Sequence, residues 1–255
     1  MRGRSGFCGF GATLSLCVAI AAVALPARAQ DVSEAAVSYV VGNVLSTFYH
    51  ELGHAMIDVM HLPVLGQEED AADILSVILT NDLWEEDMAR QTALATAKSF
   101  WISAAEYEDD ASSYADVHGL NLQRYYTHVC LFYGANPDAR GDFLASTDLP
   151  ADRAEGCADE YTLASESWGV YLSEIEAAQP GTSLRFDVDT SDSISILLAD
   201  EIDALNGLYV LPESIQVELA SCGEANAFYY PSDRKITICT EYVDALWDQA
   251  KQAGL

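Results

Sequence analysis

The chain has 255 residues, half of them apolar and a tenth aromatic, which suffices for the core of one good-sized domain and excludes global disorder. Forty Asp and Glu stand against twelve Lys and Arg, a formal charge of −28 at pH 7, and lysine occurs only as Lys98, Lys235 and Lys251. Nucleic acid and anionic lipid are recognised through basic patches, so neither is an expected partner; a surface this acidic suits an extracellular or saline setting.

Residues 1–29 read as a secretory signal. Arg2 and Arg4 form a basic start, residues 7–25 are uncharged and apolar-rich, and Ala27-Arg28-Ala29 offers a small-x-small cleavage site before Gln30. Cleavage after Ala29 removes three arginines and no acid. It predicts a protein that is secreted or periplasmic, with residues 30–255 as a single domain. No later stretch reaches the roughly 18 apolar residues of a membrane span, so no stable membrane insertion is expected after cleavage. Cys8 and Cys17 leave with the signal. The four that remain, an even number in an exported chain, read as two disulfides. Cys130–Cys157 and Cys222–Cys239 are the expected pairs because each closes a short local loop, and no C-x-x-C spacing favours a cysteine zinc site.

In chain order, residues 37–60 carry apolar residues at helical spacing and predict a first helix. Residues 68–79 predict a second, with acids in its first turn where the helix dipole favours them. Residues 83–107 predict a long amphipathic third, 120–133 a fourth ending at Gly134, and 152–178 a fifth ending before Pro180-Gly181. The last third changes character. Residues 184–188 and 214–220 alternate as short strands around a helix at 194–205. Residues 227–230 and 235–239 flank Pro231-Ser232-Asp233-Arg234 as a hairpin, and 242–253 predict a closing helix. The expected fold is α+β and helix-dominated, with a small antiparallel sheet or hairpin near the C-terminus. Trp84, Trp101, Trp168, Trp247 and His128 fall on helical stretches and read as core.

The run His50-Glu51-Leu52-Gly53-His54 carries the chemistry. Residues four apart share a helix face, so two imidazoles there can hold one tetrahedral ion. Glu51 lies about 100° round the helix, from where its carboxylate can reach a water on that ion as general base. Leu45, Phe48, Leu52, Ala55 and Met56 make the surroundings apolar, so the histidines and the glutamate need a partner. Catalytic zinc takes a third protein ligand. Position 60 is Met60 rather than histidine, and His61 falls one residue late. The run Glu68-Glu69-Asp70-Ala71-Ala72-Asp73 can fold back beyond a turn containing Pro63 and Gly66. Glu69 is the expected third ligand, with Glu68 its rival, and Asp73, one turn on, the acceptor that orients a ligand histidine. His118, in the loop before the fourth helix, is a candidate to stabilise an oxyanion, with Arg124 as its substitute.

HELGH followed by Glu-x-x-Ala-Asp resembles the gluzincin type of zincin metallopeptidase. The run from Gly42-Asn43 through Tyr49-HELGHAMID and residues 62–73 is more closely similar to an uncharacterised family of secreted bacterial metallopeptidases whose activity is inferred. The likeness extends through Asp116-x-His118, Arg124, Cys130, Tyr133-Gly134, Cys157, Trp168 and residues 222–227. It implies a zincin-like domain, one Zn²⁺ per chain on His50, His54 and Glu69, and a peptide or protein substrate. In familiar zincins a hairpin with an edge strand precedes the HExxH helix. Here the comparable hairpin, residues 226–238, follows it. Two readings stand side by side: a permuted arrangement, with the strand beside the active helix and able to take an extended peptide by strand addition, or an ordinary structural hairpin clamped by Cys222–Cys239. The competing reading is a catalytically silent secreted binding protein in which the same ligands hold zinc for stability.

Overall fold

A computed structural model describes residues 33–106 and 112–255; the expected signal and its cleavage site lie outside them. In chain order the elements are α1 (Glu34–Val59), α2 (Glu68–Leu83), α3 (Glu86–Glu106), α4 (Asn121–Ala135), α5 (Gly141–Ala145), α6 (Ala151–Ala154), α7 (Cys157–Glu174), β1 (Leu184–Phe186), α8 (Ser193–Leu208), β2 (Ile215–Ala220), β3 (Ala227–Tyr230), β4 (Lys235–Cys239) and α9 (Thr240–Gln252). The fold is α+β and helix-dominated, with its sheet in the C-terminal part of the chain.

α1 starts at Ser33, whose hydroxyl accepts the Ala36 N–H at 3.0 Å. From Tyr39 onward it is buried almost all the way round, polar residues included, so it is a central helix enclosed by the rest of the fold. Val40, Val44, Leu45, Phe48, Leu52 and Ala55 are fully buried. α2, α3, α9, β3 and β4 all pack against α1, so the HELGH turn lies in the first core together with the sheet and α8. A second core joins α2, α3, α4 and α7 around Val77, Val129, Phe132 and Phe143. Cys130–Cys157 ties α4 to the start of α7, and Cys222–Cys239 closes the loop that carries the hairpin, the two pairs expected from loop length.

The four strands run in the order β1-β2-β4-β3. β1 pairs with β2 and β2 with β4 in parallel, and β3 pairs with β4 antiparallel. The sheet is thus mixed, which corrects the antiparallel expectation: α8 carries the chain from β1 back to start β2 in the same direction, as a helical crossover must. The hairpin has the expected bounds, and β3 is an edge strand lying along α1.

The single helix expected over 152–178 is two. α6 and α7 are separated at Glu155-Gly156, and α7 stops at Glu174 because the following chain pairs with the end of α8, Glu176 bridging Tyr209 and the Ala177 N–H bonding the Leu208 carbonyl. α2 runs on to Leu83 and ends where Trp84 turns extended. α5 was not anticipated. It follows Arg140, a buried guanidinium held by Glu86, Asn81 and the Phe132 carbonyl. Trp101 is 41% exposed and leans on Tyr125 rather than filling core. His128 is core, with Nε2 on the Ala93 carbonyl at 3.1 Å.

Candidate metal centre

His50 and His54 sit one turn apart on α1, and their Nε2 atoms are 3.2 Å apart. Glu69, in the first turn of α2, brings its Oε2 to 3.1 Å from His50 Nε2 and 3.2 Å from His54 Nε2. A tetrahedral ion with bonds of about 2.0–2.1 Å separates its ligand atoms by about 3.3 Å. The observed triangle has nearly that edge. Two imidazole nitrogens and a carboxylate oxygen facing one another at this spacing form a donor set that can hold one metal ion, and among the described residues these three make the candidate group.

The outer nitrogens are fixed by carboxylates. His50 Nδ1 is 2.8 Å from Asp73 Oδ1, and His54 Nδ1 is 2.8 Å from Glu68 Oε1. Glu68 therefore sits behind His54, and Glu69 takes the place between the rings. The reason is helical phase: Glu69 and Asp73 share the face of α2 turned to α1. His118 adds a third ring. Its Nε2 is 3.0 Å from the same Glu69 oxygen, and its Nδ1 is 3.0 Å from Asp116 Oδ1. Arg124 does not stand free as an oxyanion donor; its guanidinium is spent on both oxygens of Asp73, at 2.7 and 2.9 Å. His61 is exposed at the end of α1.

Electrostatics follow from burial and from the crowding of acids. Burial pushes Glu69 upward, but hydrogen bonds from His118, His50 and His54 outweigh it and hold the carboxyl far below its usual range. Burial works against charging His50, yet its hydrogen bonds to Asp73 and Glu69 lift it to about 9. Glu51 is buried, and that burial raises it against the pull of His50 and His54. The acids thus demand positive charge between them, which imidazolium or a cation can supply.

A groove of about 660 Å³ opens over these groups. One wall is Glu68, Glu69, Asp116, Val117 and His118; the other is Asn226 to Tyr229, the start and body of edge strand β3. His50, Glu51 and His54 also line it.

Over residues 13–172 and 191–254 the sequence matches the family described as "Putative metallopeptidase". The chain belongs to this family. No curated protein and no solved structure matches it. The metallopeptidase match includes every residue of the centre and the hairpin wall of the groove.

Sequence reasoning missed the carboxylates behind His54 and His118 and the grip of Arg124 on Asp73. A signal for one of them was present in Asp116-x-His118, a spacing at which an aspartate can hold a neighbouring side chain.

Proposed function

We propose that the protein is an exported zinc-dependent peptidase. The observation that carries this reading is that Glu69 Oε2 meets both motif Nε2 atoms while Glu51, on the same helix as the two histidines, lines the groove of about 660 Å³ bordered by edge strand β3. His50, His54 and Glu69 would hold the zinc. When bound, zinc lowers the pKa of a water and polarises a carbonyl. Glu51 is placed to take a proton from an attacking water on its carboxylate and to return it to the departing amine nitrogen. Asp73 and Glu68 keep the histidines in the tautomer whose Nε2 lone pair points inward. His118, held at Nδ1 by Asp116 and raised foremost by its bond to Glu69, can as imidazolium turn its Nε2–H from Glu69 to the oxygen that gains charge at the scissile carbonyl. Edge strand β3 supplies main-chain groups along which an extended peptide lies. Two disulfides support export, because they persist in an oxidising compartment.

The test is Glu51→Gln, which preserves shape and removes the base. Assayed on an unfolded protein substrate with metal content measured in parallel, the variant should retain about one zinc per chain and lose hydrolysis by about 10²–10⁴-fold. Full activity in this variant would remove Glu51 from the base role.

A further inference from the structure

Asp73, in the second turn of α2, is largely buried, with its side chain 19% exposed. It accepts from His50 through Oδ1, and one hydrogen bond to a ring does not fix both oxygens of a largely buried carboxylate. The balance comes from α4, 51 residues away in sequence: Arg124 Nε reaches Oδ2 and an outer guanidinium nitrogen reaches Oδ1. The fork fixes the carboxylate plane as well as its charge. The guanidinium is fixed in turn by lying over the Phe100 ring of α3, 4.5 Å from its centroid. Arg124 also borders the polar cavity of about 280 Å³ behind the centre, where Thr47 and Tyr242 share a 2.8 Å hydrogen bond.

We propose that Arg124 is a positioning residue for the metal centre, holding Asp73 in the single orientation that aims His50 Nε2 at the ion. This rests on the metal site proposed above and extends it from the ligands to a relay His50–Asp73–Arg124–Phe100 that spans α1, α2, α4 and α3. Lysine would keep the charge but engage one oxygen at a time, leaving Asp73 free to rotate about its last torsion and His50 with it. The contribution is geometric, so it shows in metal affinity whether or not a peptide is ever cleaved.

The experiment measures zinc affinity of the full chain by competition with a chromogenic chelator, comparing wild type, Arg124→Lys and Arg124→Ala. Apo-protein circular dichroism confirms that each variant is folded. Loss of the outer partner of a ligand histidine weakens metal binding by about 10–100-fold, and loosening that partner through Arg124 is expected to cost the lower end of this range, about tenfold, in both variants. Guanidinium at non-denaturing concentration should restore affinity to Arg124→Ala by occupying the vacated space, and ethylammonium at the same concentration should not. Wild-type affinity in either folded variant, or equal rescue by both cations, overturns the proposal. Should Arg124→Ala fail to fold, Arg124→Lys decides alone, a fall sustaining the proposal and wild-type affinity overturning it. A wild-type chain that binds no zinc is a different failure, that of the metal site itself.

Discussion

Gly53 lies against Ala72 so closely that a Cβ added to the glycine would fall 2.9 Å from the Ala72 Cα and 3.1 Å from its Cβ. The contact occurs between His50 and His54 on one helix and Glu69 and Asp73 on the other. It therefore sets how near the two helices that carry the candidate ligands come. The glycine of the HELGH run is explained by this approach of helix to helix rather than by backbone conformation.

Gly53→Ala should force α1 and α2 apart, since backbone and not a flexible side chain stands in the way. Overpacking of this kind costs about 1–3 kcal/mol of stability. The displaced Glu69 and Asp73 should weaken zinc binding by about tenfold or more. Thermal unfolding of the apo chain and a zinc titration read the two effects separately. Wild-type affinity in the variant would show that the helix spacing does not tune the centre.

His61 ends α1 with φ of 54°, a left-handed conformation in a residue that has a Cβ, while the Leu62 N–H bonds back to the Ile57 carbonyl. Such a position favours glycine. The left-handed state costs an L-residue about 1–2 kcal/mol, and the greater freedom of unfolded glycine takes back about 0.4–1 kcal/mol. His61→Gly should accordingly stabilise the fold by a net amount of about 0.5–1 kcal/mol in denaturant unfolding. Destabilisation would mean that the His61 side chain makes an interaction the fold needs.

Glu241, at the start of α9, accepts from the Ser221 hydroxyl and from the N–H groups of Cys222 and Gly223. The hydroxyl bond foremost, then those N–H groups, lower its carboxyl to about 2. A depressed folded value means that the bonds stabilise the protein above the unfolded value of about 4.3 and cease to do so as pH falls through about 2. The melting-temperature gap between wild type and Glu241→Gln should be full at pH 5 and above and shrink steadily toward pH 2. A gap independent of pH would show that the carboxylate charge contributes nothing to holding residues 221–223.

Much of this arrangement is legible in the sequence because it rests on local periodicity. The apolar run around HELGH becomes a buried helix, the two β-rich runs about Pro231 become β3 and β4 with the expected bounds, and the phase of Glu69 and Asp73 on α2 puts both on His50. What is not legible depends on contacts far apart in the chain. Arg124 reaches Asp73 only through the packing of α4 on α2, and His118 reaches Glu69 only because its loop folds over the α2 start. The parallel pairing of β1 with β2 is set by the α8 crossover, and α7 ends where Glu176 finds Tyr209; neither leaves a mark in local composition.

The central claim is that His50, His54 and Glu69 together grip one zinc ion. The most direct measurement is zinc content with X-ray absorption at the metal edge, on the purified full chain and on Glu69→Ala. The account predicts about one zinc per chain, with imidazole nitrogens and carboxylate oxygen at about 2.0–2.1 Å and no sulfur, and its loss or sharp weakening in Glu69→Ala. No retained zinc, sulfur in the coordination shell, or unchanged binding without Glu69 would contradict it.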